Sequence, residues 1–445
     1  MISTQTRPAQ PSPDGTPSTN NGRRNALGAI VAQFSQALSS FLLSVVAVRS
    51  LSTSTYGVLA LLLGSLVLAT ALMTGFVGDS LTVLDRADRR IRSSLQWWCV
   101  IIMVALFVVG LLATALSGTL ALSDALLFGL ALSVFTGEDT VRRVLMASLR
   151  FWSVVVVDIG YLVIAAVVLA VRQAQSGSLS LSDFLIALVA GQAFAAGLGM
   201  VLFPAHERRL VSMADPALRA VASFGGWRAL QQTLRPTSLT LVRIMVIVVA
   251  GEASLGQLEA ARLYMSPALL VVQGTGGFLL ATYASDRHLS VRKAVRSADR
   301  TVLILVVASL TLGAVAALAA GKLGPVLTGG ATEIDRTTVI GWALFAAAVA
   351  TTMPYASLGA VRGRQAVVVG LRVLDTVASM CLVAVLLFAM DAAPTVVPYA
   401  LALGGLVGAV LQRQIGLATR PAHARPRGQR ATVGVQKTWA GYDSS

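Results

Sequence analysis

Twelve apolar runs, each long enough to cross about 30 Å of hydrocarbon as a helix, recur along this 445-residue chain at 26–48, 55–79, 95–116, 122–146, 151–171, 182–203, 224–250, 257–283, 301–321, 338–360, 365–388 and 395–417. Lipid offers the backbone no hydrogen-bond partner, so spanning segments are helices or closed barrels. These runs are too long and continuous for the alternating, roughly ten-residue strands of a barrel. The expected fold class is an all-α polytopic membrane protein with twelve transmembrane helices. Charged residues make up only 12% of the chain, against about 25% in soluble domains.

The net charge of +15 would suggest nucleic acid in a soluble protein. Here it follows membrane topology, because short cytoplasmic loops collect Lys and Arg. With the N-terminus placed inside, the inside segments hold 28 of the 35 basic residues, and the outside loops hold Arg49, Arg172, Arg262, Lys322 and Arg336. No nucleic-acid partner is expected. The protein reads as multi-pass in the cell (cytoplasmic) membrane with both termini cytoplasmic. The polar stretch 1–24 and the basic stretch 419–445 read as disordered tails, and no cleavable signal is visible.

Sliding the chain on itself by 199 residues places Gln33 on Gln232, Gly57 on Gly256, Gly75 on Gly274 and Gly78 on Gly277. A second echo relates 150–157 to 362–369. Both relate spans of the same orientation, which predicts two pseudo-symmetric six-helix bundles. The expected divisions are 25–203 and 224–418, joined by a cytoplasmic linker at 204–223.

The two basic residues left over, Arg235 and Arg243, sit inside the seventh run. Each costs roughly 2.5–3.5 kcal/mol at a helix centre unless it meets water or a partner, which points to a hydrated cavity for an anion. Gln33, Gln36, Ser40 and Ser44 share one face of the first span. Arg228, Gln232 and Arg235 share one face of the seventh. Pro236 disfavours helical geometry in the residue before it, so a break or hinge is expected there. Plainer readings stand beside these. Gln and Ser also bond neighbouring helices, Arg228 and Arg243 lie near enough to an interface to snorkel, and Asp79, after Gly75 and Gly78, reads as a packing position. Glu138 and Arg142, four apart, suit either an ion pair near the helix end or a proton or cation relay. Asp158 is a candidate partner for a cavity arginine.

Other chemistry is missing. Cys99 and Cys381 lie within spans and imply no disulfide framework. His206, His288 and His423 form no metal-ligand spacing, and no GxxxxGK[ST] loop is present. The outer loops are short, without the placed carboxylates that a membrane glycosyltransferase or polymerase would need. No enzyme activity, metal or cofactor is expected.

Three stretches carry a resemblance: Arg49-Ser-Leu-Ser-Thr-Ser-Thr-Tyr-Gly57, Leu255-Gly-Gln-Leu-Glu-Ala-Ala-Arg-Leu-Tyr-Met-Ser-Pro267 and Arg142-Arg143-Val-Leu-Met-Ala-Ser-Leu-Arg150. Over 25–418 the chain resembles the multidrug/oligosaccharidyl-lipid/polysaccharide exporter superfamily, and within it the polysaccharide flippase branch. That branch carries lipid-linked sugars by alternating access through a cationic cavity with arginines on the first and seventh spans. The resemblance implies a flippase for a polyprenyl-(di)phosphate-linked oligosaccharide, with Arg235 and Arg243 on the phosphates and Gln33, Gln36, Gln232 and Ser44 on the sugar. Membrane lipids, and glycosyltransferases or a polymerase of a polysaccharide pathway, would be its partners. Glutamines replace charge on the first span, a departure from the branch's pattern. The alternatives are a cation-coupled multidrug exporter of the same superfamily and a non-transporting subunit of a glycan-assembly complex.

Overall fold

The computed structural model describes residues 19–84, 88–204, 216–285, 290–328, 334–362 and 365–417. Residues 1–18 and 419–445 of the expected tails, most of the linker and the three histidines lie outside that set. Every regular element among the described residues is helical. The helices are α1 (Thr19–Ser50), α2 (Thr53–Met73, continued by a π turn at Thr74–Gly78 and by Asp79–Val83), α3 (Arg89–Leu116), α4 (Leu122–Ala147), α5 (Phe151–Ser176) and α6 (Leu181–Val201). The continuous stretch Leu218–Ser285 supplies α7 (218–250) and α8 (252–285). Then come α9 (Val291–Thr328), α10 (Arg336–Val361), α11 (Gln365–Ala384, ending in a π turn at Val385–Ala389) and α12 (Val397–Leu417). α1 thus begins inside the stretch expected to be a tail.

The join between α7 and α8 explains itself locally. Gly251 adopts φ 82 and ψ 170, a region open essentially to glycine alone. Pro236 does not make the expected break: Gly251 is the residue with non-helical angles inside Leu218–Ser285. Proline removes one backbone donor and leaves the Gln232 carbonyl without its helical partner, and the helix tolerates the loss.

Two main cores form two six-helix bundles. Leu59, Leu66, Phe128, Val154, Phe184 and Leu188 anchor the first. Val246, Leu255, Met265, Trp342, Val383 and Leu401 anchor the second. The bundles meet where α2 runs against α7 and α8. A β-carbon on Gly57 would collide with the Glu252 carbonyl oxygen, and one on Gly256 with that of Thr53. Thr53 maps onto Glu252 under the same 199-residue offset that maps Gly57 onto Gly256. The two contacts are therefore images of each other, as a pseudo-two-fold axis between the bundles requires. At the other end of α2, Gly75 lies against the backbone of Ala229, and Gly225 against that of Phe76.

Candidate functional site

Arg235 stands near the middle of α7, half-buried, with its guanidinium carbon 5.8 Å from the centroid of the Phe345 ring. It lines two adjoining cavities of about 60 and 250 Å³. Both are walled by α7, α10 and α11, and both also contain Arg372, Val349 and Thr352. Residues of α12 complete them: Leu401 and Gly405 in the smaller, Gln412 in the larger. This chamber lies inside the second bundle.

Arg372 is the residue the sequence reading missed, because its closeness to Arg362 and Arg364 in the chain hides it. It lies two turns inside α11 and heads a polar face with Asp375, Thr376 and Ser379, all lining the smaller cavity. Their spacing of three and four is the same signal that singled out the first span, so it was available. Glycines on α12 make room for this face. A β-carbon on Gly404 would meet Ser379 Oγ, and one on Gly408 would come 2.5 Å from Asp375 Oδ2. Thr376 Oγ1 donates to Asp375 Oδ1 at 3.2 Å, and Ser379 Oγ donates to the Asp375 carbonyl at 2.7 Å. Among the described residues, neither Arg235 nor Arg372 makes an ion pair or a side-chain hydrogen bond. Two guanidiniums facing one carboxylate leave the chamber net positive.

Arg243 fares differently. It is 8% exposed, and its Nε lies 2.7 Å from Glu259 Oε1. Arg262 holds the other oxygen of Glu259 at 2.6 Å, with its guanidinium over the Trp342 ring. Arg243 therefore neither snorkels nor lines the chamber. It is one of three members of an ion triad with Glu259 and Arg262, pressed against α2, where a β-carbon on Gly64 would collide with its Nη1. Arg228 is paired as well. Its Nη2 lies 2.7 Å from Asp79 Oδ2, and Gln232 Nε2 donates to the same oxygen at 3.4 Å. Asp79, read as a packing position, is thus an ionic latch between α2 and α7.

The first-span stripe lands elsewhere. Gln33 is exposed, Gln36 is half-buried, and Ser44 Oγ donates to the Ser40 carbonyl. None of them lines the chamber. α1 instead delivers Ser35, whose hydroxyl donates to Asp158 Oδ2 at 2.6 Å. Asp158 also takes Arg142, Nε to Oδ1 at 2.8 Å, and so pairs within the first bundle and not with a chamber arginine. Glu138 lies 3.9 Å from the same guanidinium. Glu138, Arg142 and Asp158 are all at least 95% buried. The neighbouring pair, Asp139 and Arg143, joins at 2.8 Å, and Thr74 in the π turn of α2 donates to Asp139.

No family model matches the chain, and no curated protein matches it. Solved structures do. An inward-facing multidrug resistance MATE family transporter of the MOP superfamily aligns with a TM-score of 0.69 at 12% identity, covering 87% of this chain and 97% of the other. An outward-facing one aligns at 0.61 and 14%, covering 89% and 94%. A eukaryotic MATE transporter aligns at 0.53 and 15%, covering 90% and 96%. At such identities the likeness is one of fold. This chain has the fold of MATE transporters of the MOP superfamily.

Proposed function

We propose that this protein is a secondary exporter working by alternating access, and that its cargo joins an apolar body to an acidic group. The observation that carries the reading is the shared fold, found in transporters solved both inward-facing and outward-facing. Those relatives are named for multidrug resistance, which supports small-solute export ahead of the lipid-linked oligosaccharide flippase. The charge of the chamber supports the acidic group. A cation is repelled by Arg235 and Arg372, whereas an oxyanion satisfies both through planar, bidentate hydrogen bonds. Arg243, neutralised by Glu259, drops out of cargo binding.

Coupling falls to Glu138, Arg142 and Asp158 in the first bundle. Two buried carboxylates share one guanidinium there, so binding a proton or a cation restores neutrality. The flippase stays as a second reading because one observation favours it: the same pair of unpaired guanidiniums suits a diphosphate. Glycosyltransferase or polymerase partners, and sugar contacts, belong to that reading alone.

Proteoliposomes test the choice. With an imposed pH gradient, the protein should move carboxyfluorescein-like amphipathic anions, and Arg235→Gln should slow that movement at least tenfold. Movement of a labelled polyprenyl-diphosphate oligosaccharide alone would put the flippase first. Movement of ethidium alone would contradict the charge argument, and no movement of any kind would favour a non-transporting subunit. Glu138→Gln should remove the stimulation by the gradient while leaving counterflow of the same anion.

A further inference from the structure

We propose that the second bundle holds a built oxyanion site in which Arg235 and Arg372 grip the anion and Gln412 reads the group attached to it. Only what the site is used for rests on the transport reading; the binding does not.

The argument begins with Gln412. Its side chain is 6% exposed, and neither its amide nitrogen nor its amide oxygen has a hydrogen-bond partner. A buried orphan amide is costly and uncommon. Leu234, Val349, Met353 and Val368 supply the apolar part of the wall around the cavity it lines, and Gln231, Thr352 and Ser357 the uncharged polar part. The amide shares this cavity of about 250 Å³ with Arg235 and Arg372.

The second, independent observation is charge. Two guanidiniums face one space, and the nearby carboxylate, Asp375, is drawn toward Thr376 and packed on Gly408. Like charges in a partly dehydrated space repel unless something negative lies between them. An oxyanion supplies it. Gln412 adds one donor and one acceptor beside that anion, which fits a neighbouring hydroxyl or amide better than a bare alkyl chain. The apolar wall fits the rest of the molecule. The ligand class is therefore a phosphate or carboxylate joined to a hydroxyl- or amide-bearing group. A soluble phosphorylated solute and a lipid headgroup share that chemistry.

The test uses the full-length protein in phosphatidylcholine nanodiscs, with thermal stability and calorimetric affinity as readouts. Glucose 1-phosphate should raise Tm where glucose does not, and inorganic phosphate should bind more weakly than glucose 1-phosphate. Arg235→Gln and Arg372→Gln should each weaken glucose 1-phosphate at least tenfold. Arg372→Lys, which keeps the charge and loses the fork, guards against misfolding and should fall between. Gln412→Leu should bind inorganic phosphate as the wild type does, lose the preference for glucose 1-phosphate, and show a ligand-free Tm at or above the wild-type value. Stabilisation by phosphatidylglycerol alone, lost in the arginine variants, would support the site with a lipid headgroup as its occupant. Absence of binding by both sources, or arginine variants that bind like the wild type, would overturn the proposal. An unchanged preference in Gln412→Leu would overturn the role of Gln412. Arginine-dependent binding by a protein that moves no solute would keep the site and dismiss the transport reading. Transport intact in both arginine variants, with no anion binding, would do the reverse.

Discussion

Arg235 and Arg243 lie two turns apart on one helix and end in opposite electrical situations. Arg243 meets Glu259 across the α7–α8 join, so it completes a structure. Arg235 meets a cavity and an aromatic face, so it is free to meet a ligand. Arg243→Ala should therefore lower thermal stability by about 3 kcal/mol, the low end for a broken buried pair because Arg262 still holds Glu259. Arg235→Ala should leave Tm close to wild type. Thermal unfolding of the two variants in one detergent checks the contrast. The cost of a charge in an apolar run was legible at both positions, but the partner was not. Glu259 lies sixteen residues from Arg243 and reaches it only because Gly251 turns the chain back. Arg372 was hidden by its closeness to a basic loop, and Gln412 by its closeness to the basic tail. In both cases adjacency in sequence outweighed periodicity, and the helix pitch tells the truer story.

At the scale of the element, the spans themselves were legible because length and apolarity are properties of a single helix. Among the described residues, ten stretches are long and apolar enough to cross a membrane by themselves. Gly251 divides one of them in two, and Leu122–Ala147 adds the twelfth despite its charged face. What the sequence could not supply was the seat of each polar face, since that depends on the neighbour. α11 keeps Asp375 and Ser379 inside the second bundle only because α12 offers Gly404 and Gly408 there. Gly408→Leu should push into Asp375, distort the chamber and cost about 1–3 kcal/mol from overpacking, with a matching loss of ligand-induced stabilisation in the same melt. The start of α10 gives a sharper local test. Asp335 accepts from the backbone N–H groups of Thr337 and Thr338 at 3.2 and 3.0 Å. Burial alone would raise its carboxyl, but these bonds and those from the two threonine hydroxyls outweigh burial and hold it below the usual value. A depressed carboxyl gives stability that is present above its unfolded value and lost as pH falls through the folded one. Asp335→Asn should therefore flatten the acid limb of the stability curve, and Asp335→Ala should cost about 0.5–2 kcal/mol at neutral pH.

Across the whole molecule, the exporter reading makes the seam formed by α2 with α7 and α8 the place where the bundles reorient. Gly57 and Gly256 let the two chain turns cross at backbone contact at one end. Asp79 and Arg228 tie the other end, through a pair exposed enough to be worth no more than about 1 kcal/mol. Such a weak tie can break and re-form during a cycle. Arg228→Ala should barely move Tm and should shift the balance between conformations. The sequence disclosed this seam in outline, since the 199-residue offset pairs the two glycines, but not that they touch. If the bundles reorient about this seam, the distance between spin labels at Ser54 and Ser254, in a background lacking Cys99 and Cys381, reports it. Alternating access predicts two distance populations whose ratio shifts with pH and with an anionic ligand, and Gly57→Leu should enrich the longer one. A single distance, unmoved by ligand, pH or that substitution, would contradict it.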